Sequence, residues 1–361
     1  MEEFNYQHGG NIFSHARKFN ISVSEIIDSS ASLIPFKTPS HLVNTLISEI
    51  KDGIYRYYPE INLKQLKEVI SKFHDIPSEN ILPGNGASEL ITWVGLEASS
   101  KGKNCLPSPC FIDYERSLKA WDAEYIYSDL PLNNFRNTSH KFPINPNCDV
   151  LWITNPHNPT GQLWNRFSLE KIVNRYKLVI CDESFLSITP KGEKESLIPL
   201  IKSFDNLIVI RSLTKLFSIP GIRLGYLLGP AKTLQKLNQK RDPWPLNSFA
   251  IRAGITLLNH KDEYQKWIKK IHKWILKEKS WIYPELKKIN NLRVYDSSTN
   301  FFLIESDFAL NHNINYLARK GIIIRECASF RTLNEKWARI SLQTHLKNKK
   351  IVKEIQSSFL K

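Results

Sequence analysis

The sequence predicts an α/β protein: a large domain with a mainly parallel central sheet, followed by a smaller α+β domain. Three observations predict it. From about residue 80, short β-rich runs alternate with longer stretches of helical periodicity, the pattern of a layered α/β architecture. The middle runs (VLWIT at 150–154, LVIC at 178–181, LIVIR at 207–211) are nearly all apolar, as expected of strands buried on both faces of a parallel sheet. Beyond residue 255 the pattern changes to one long amphipathic helix and a set of short strands.

In chain order, residues 1–45 lack the alternation and read as an arm plus a partner segment of the smaller domain. Residues 46–255 then form the large domain and 256–361 the small one. A helix is predicted over 89–98, directly after the turn Gly84-Asn85-Gly86-Ala87-Ser88. Strands at 150–154, 178–181, 207–211 and 224–228 follow, with a helix over 168–176 between the first two. Over 262–283, Tyr264, Trp267, Ile268, Ile271, Trp274, Ile275 and Ile282 share one face and lysines the other. Pro284 is expected to close that helix, since it lacks an N–H and crowds the preceding turn. Strands over 293–295, 301–305, 322–325 and 338–342 complete the small domain.

Composition narrows the function classes. With 42% apolar and 24% charged residues, a disordered chain or a disulfide scaffold is excluded. No uncharged apolar run approaches the roughly 18–20 residues that cross a bilayer. The opening residues are acidic with no apolar run, so no signal peptide is expected. Five cysteines (105, 110, 148, 181, 327) form no C-x-x-C pair and no metal-ligand spacing. Ordinary thiols, a cytoplasmic location and no metal are therefore expected. The 50 Lys and Arg against 35 Asp and Glu give a charge of +15, consistent with nucleic acid, anionic ligands or a solvated basic surface.

Polar clusters follow the strand candidates, and in open α/β sheets ligands bind at the carboxyl ends of strands. Asn155-Pro-His-Asn158-Pro-Thr-Gly161 follows the first strand and Asp182-Glu183-Ser-Phe185 the second. Ser212-Leu-Thr-Lys215 follows the third, with Pro220-Gly221-Ile-Arg223 just beyond. A lysine held among cations and partly desolvated has a lowered pKa and can form a Schiff base. The Gly-Asn-Gly turn before a helix suits a phosphate dianion, because the first N–H groups of a helix have no partner within it.

In order and spacing, Asn158, Asp182, Lys215 and Arg223 resemble the fold-type I, pyridoxal-phosphate-dependent aminotransferase family along essentially the whole chain. The resemblance implies pyridoxal 5'-phosphate as cofactor and a homodimer. Lys215 would carry the cofactor, Asp182 would face its pyridine nitrogen, and Asn158 would donate to its phenolate oxygen. Gly86, Ala87, Ser88, Ser212 and Arg223 would hold its phosphate, Phe111 would stack on its ring, and Tyr58 would reach the cofactor phosphate of a neighbouring subunit.

Within that family, the arm His8-Gly9-Gly10-Asn11-Ile12 and the stretch Ser30-Ala31-Ser32-Leu-Ile-Pro35 resemble the threonine-phosphate decarboxylases of cobalamin biosynthesis. Ile324-Arg325-Glu-Cys327-Ala328 adds to that resemblance. The related histidinol-phosphate aminotransferases share the core but lack the arm, and usually carry Tyr where this chain has Phe185. A small phosphorylated amino acid is the implied substrate, decarboxylated rather than transaminated. His8 and Gly9 would close over its phosphate, Ser32 and Asn158 would contact it, and Arg325 and Arg339 would grip phosphate and carboxylate in an order left open. Ser32 replaces the Asn of those relatives and reaches less far. A basic segment with Trp267, Trp274 and Trp281 leaves nucleic-acid binding as the alternative of another class, weakened because two of these tryptophans fall on the apolar face.

Overall fold

A computed structural model describes residues 8–132 and 142–360. The acidic opening residues read for a leader lie outside the described residues. Two sheets organise the chain. The larger has seven strands in the order β2 (Ile81–Gly84), β8 (Gly225–Leu228), β7 (Leu207–Ser212), β6 (Leu178–Asp182), β5 (Val150–Thr154), β3 (Asn104–Ser108) and β4 (Tyr125–Asp129). All neighbours pair in parallel except at β8, which runs antiparallel to both β2 and β7. The smaller sheet has the order β1 (Ile27–Ser29), β11 (Ile322–Glu326), β12 (Trp337–Ser341), β10 (Phe301–Ser306) and β9 (Leu292–Val294). Only its β1–β11 pair is parallel, so the arm-proximal chain supplies an edge to a sheet built 300 residues later.

The apolar runs are explained by burial on both sides. Every residue of β5, β6 and β3 is buried, and the strand period of two sends successive side chains to opposite layers. Val150, Trp152, Leu178, Ile180, Ile208 and Ile210 pack on α4 (Gly86–Ser99), α5 (Ile112–Ala120) and α7 (Ala231–Asn238). Leu151, Ile153, Val179, Cys181 and Val209 face the other way, into a core continuous with the smaller sheet.

The long helix α9 (Lys261–Leu286) contributes Tyr264, Ile268, Ile271, Trp274, Ile275 and Ile282 to that core. Pro284 sits inside its last turn and does not close the helix as expected. A proline there forfeits only one bond near an end that already lacks partners, while Tyr283 and Leu286 are buried and Lys287 N–H bonds the Tyr283 carbonyl at 3.0 Å. The tryptophans are structural: Trp267 Nε1 donates to the Leu216 carbonyl (2.9 Å) and Trp274 Nε1 to the Gln343 carbonyl (3.2 Å). Trp281 is partly buried against the same core, its ring 5.1 Å from that of His345, so all three tryptophans pack within the fold, which weakens the observation behind nucleic-acid binding. Among the described residues no helix is long and apolar enough to cross a membrane.

Candidate active site

The carboxyl ends of β5, β6 and β7 converge on a cleft of about 210 Å³, closed from the other side by β11, β12 and the loop after β1. Each element delivers one piece. Thr154 ends β5 and Asn158 follows on its loop; Asp182 ends β6; Ser212 ends β7 and Lys215 follows. Arg325 and Arg339 stand directly opposite each other on β11 and β12.

At one end lies an anion cradle. Helix α4 begins at Gly86, whose φ of +78° favours glycine. A Cβ there would lie 2.6 Å from Arg223 Nη2, so the glycine lets the guanidinium approach the helix start. Ala87, Ser88, Ser212, Thr214 and Arg223 line this end, and the Ser212 and Thr214 hydroxyls are 2.8 Å apart. N–H groups, three hydroxyls and one guanidinium suit a phosphate.

Lys215 lies at the centre, its Nζ 3.4 Å from the Ala31 carbonyl. Burial first, then the Arg339 and Arg223 cations, pull its pKa down to about 8, so an appreciable share of the amine is neutral near neutral pH. Asp182 is fully enclosed: Oδ1 accepts the Ser184 N–H at 2.9 Å and Oδ2 the Tyr114 hydroxyl at 2.8 Å. Burial pushes its carboxyl pKa up, and those donors pull against it.

The far end is cationic. Arg339 is buried, donating through Nη1 to Asn158 Oδ1 and through Nη2 to the Ser30 carbonyl at 2.7 Å. Its Nε has no hydrogen-bond partner among the described residues, and burial lowers its pKa to about 10. Arg325 Nη2 donates to Ser329 Oγ at 2.7 Å, over the Phe330 ring. Because Arg339 fixes the oxygen of Asn158, the amide N–H groups of that side chain are turned to other acceptors.

The arm forms the roof. A Cβ on Gly9 would come within 2.4 Å of the Ser30 carbonyl oxygen, and Gly10 N–H donates to Ser30 Oγ at 2.9 Å. His8 Nε2 lies 3.4 Å from Asp113 Oδ1, with its ring centroid 5.7 Å from that of Phe111.

Twelve of the expected site residues line this one cleft: His8, Gly9, Ala87, Ser88, Phe111, Asn158, Asp182, Ser212, Lys215, Arg223, Arg325 and Arg339. Gly86 borders it through Arg223. Two expected residues are elsewhere. Ser32 is buried outside the cleft, its hydroxyl 2.7 Å from that of Ser341; Ser30 and Ala31 line the cleft instead. Tyr58 is 80% exposed, stacked on Trp244 at 4.6 Å, so a role at a cofactor requires another subunit. Sequence reasoning missed Tyr114, Thr154 and Asp113. The available signal for Tyr114 was its place three residues after Phe111, in the first turn of the helix that Phe111 caps.

Residues 24–355 match the family described as aminotransferase class I and II. The chain belongs to the class I and II aminotransferase family. This family works with pyridoxal 5'-phosphate, and the phosphate cradle, the amine with a lowered pKa and the enclosed carboxylate fit that group. Among relatives, the threonine-phosphate decarboxylase of Salmonella typhimurium is 29% identical over 99% of this chain and 98% of its own. A Caldanaerobacter subterraneus protein, provisionally named a threonine-phosphate decarboxylase, is 30% identical over 98% and 94%. The solved histidinol-phosphate aminotransferase of Clostridium acetobutylicum superposes with a TM-score of 0.81 at 27% identity, covering 91% of this chain and 98% of that one. A class I and II fold thus has relatives of two activities here, and the cleft must decide between them.

Proposed function

We propose that this family member decarboxylates L-threonine O-3-phosphate to (R)-1-amino-2-propanol O-2-phosphate, the amine used in building the corrinoid nucleotide loop. The observation that carries the proposal is the arm: Gly9 and Gly10 seat on Ser30 beside the Arg339 contact, so His8 roofs a cleft that already holds two buried arginines. A substrate carrying both a phosphate and a carboxylate satisfies that set, since a guanidinium fork meets either anion with two bonds.

Pyridoxal 5'-phosphate bound in the cradle supplies an electron sink for the pair left at Cα when one of its bonds breaks. The chain's residues choose the bond and handle the proton. Arg325 and Arg339 fix the two anions of the substrate, which sets the orientation of the carboxylate relative to the ring. Asp182 would supply the negative charge to pair with the ring nitrogen, and Phe111, which lines the same cleft, would cover the ring. Lys215, its pKa lowered to about 8, would carry the cofactor and, once freed and protonated by the incoming substrate ammonium, would be placed to return that proton to Cα. Phe185 offers no hydroxyl there; it packs edge-on against Phe301 at 5.0 Å.

Exposed Tyr58 and Trp244, stacked at 4.6 Å, with exposed Tyr55 and Tyr57 close by in the chain, support a homodimer. Tyr58 would then serve the partner's site. Five buried free cysteines are compatible with a reducing cytoplasm. Purified protein given the phosphothreonine is expected to release carbon dioxide and the phosphorylated amine with no keto acid present. Keto-acid-dependent amine transfer from histidinol phosphate, without carbon dioxide, would establish the aminotransferase reading instead.

A further inference from the structure

Asp182 has to remain ionised in an enclosed site if it is to balance a charge on the cofactor ring. Burial opposes that, and the Asp113 carboxylate nearby opposes it further. Donors from two residues offset the cost: Ser184, local to the strand end, whose N–H bonds Oδ1, and Tyr114, brought from α5 across the sheet face, whose hydroxyl bonds Oδ2.

The direction of the second bond is fixed by its neighbours. Tyr114 has one proton, and at 2.8 Å from an ionised carboxylate it donates there. Thr154 Oγ1, also 2.8 Å from the phenol oxygen, is then the donor to Tyr114. The chain Thr154→Tyr114→Asp182 runs one way through buried groups, where successive hydrogen bonds strengthen one another. Its ring is clamped by Trp152 at 5.0 Å and by Phe111 at 5.7 Å, so the hydroxyl has little freedom. Burial and the Asp182 charge push the phenol's pKa well above its usual range, which keeps it a donor.

We propose that Tyr114, aimed by Thr154, is a positioning residue that holds Asp182 as the charged partner of the cofactor ring nitrogen. It rests on the reading that Asp182 faces that nitrogen, and it holds whichever phosphorylated substrate the enzyme takes. Without the hydroxyl, the carboxylate oxygen becomes more basic and draws the ring proton toward itself, which weakens the electron sink.

The test uses Tyr114→Phe holoenzyme, with Thr154→Val and Thr154→Ser beside it. Readouts are the visible absorbance bands of the bound cofactor, cofactor affinity from tryptophan quenching, kcat against KM, and melting of the cofactor-free chain. Tyr114→Phe is expected to redistribute the absorbance bands and lower kcat about 10- to 100-fold, the worth of one hydrogen bond to a charged group. KM and the melting temperature should stay near wild type. Thr154→Val should change the spectrum in the same direction by less, and Thr154→Ser should restore it. A wild-type spectrum and kcat in Tyr114→Phe, with Asp182→Asn inactive, would overturn the Tyr114 inference alone. Full activity in Asp182→Asn would overturn the placing of Asp182 and the inference with it.

Discussion

Two arginines on neighbouring parts of the sheet system meet opposite fates. Arg211, next to Ser212 on β7, points away from the cleft and lies 2.8 Å from Glu183 and 2.8 Å from Glu193. Arg339, on β12, points into the cleft and, among the described residues, donates only to neutral oxygens of Asn158 and Ser30. Both are buried and both leave Nε without a partner, so the difference lies at the terminal nitrogens. Burial works against each charge. At Arg211 the glutamates outweigh it and its pKa rises well above the usual range, whereas at Arg339 it falls to about 10. Where the chain neutralises a buried cation itself, the group braces structure; where it does not, a ligand's anion is the natural complement.

The largest effect that could break this contrast is at Lys215, another cation of the cleft. Lys215→Met is expected to abolish turnover, by about 10⁴-fold or more, and to remove the visible cofactor absorbance. The same substitution should raise the melting temperature of the cofactor-free chain by a few degrees, on the order of 2–5 °C, because an amine held uncomfortably among cations is gone. A drop in melting temperature would mean that Lys215 braces structure as Arg211 does.

Next comes the direct pair. Arg339→Gln should raise KM for the phosphorylated substrate about 100-fold, the loss of a charge-assisted contact, with the denaturant midpoint nearly unchanged. Arg211→Met should do the reverse, costing about 3–5 kcal/mol of stability by stranding buried Glu183, with KM for the substrate unaltered. Matching changes in both variants would erase the distinction.

The contrast also has a pH signature. Glu193, whose side chain is still 44% exposed, is lowered to about 2 because Arg211 outweighs its partial burial, a gain that solvent partly screens. His74, bonded to Tyr226 at 2.8 Å, is lowered to about 3 by burial and then by Arg211. Unfolded, the two groups take up protons near 4.5 and 6.5, so the unfolded chain binds more protons in between. Stability from these groups is complete above pH 6.5 and is lost as pH falls toward 3 and 2. Urea midpoints across that range should fall on acidification, and Glu193→Gln should flatten the lower part of the curve. An unchanged slope would show that the Arg211 cluster adds no stability of this kind.

Legibility in the sequence followed the same division. Strands β5, β6 and β7 were readable because a buried parallel strand needs an unbroken apolar run. Lys215, Asp182 and Asn158 were readable because each directly follows one. The path of α9 past Pro284 was not, since buried Tyr283 and Leu286 override a local signal for helix termination. Ser32 shows another limit: its hydroxyl is taken by Ser341, a residue 309 positions away, and no local pattern reports such a pairing. Tyr114 was missed for a similar reason, because its partners Thr154 and Asp182 come from two other strands.

The most direct test of the central reading is product analysis after incubating the purified holoenzyme with L-threonine O-3-phosphate and no keto acid. The account predicts equal amounts of carbon dioxide and (R)-1-amino-2-propanol O-2-phosphate; an intact substrate, with amine transfer appearing only when a keto acid is added, would contradict it.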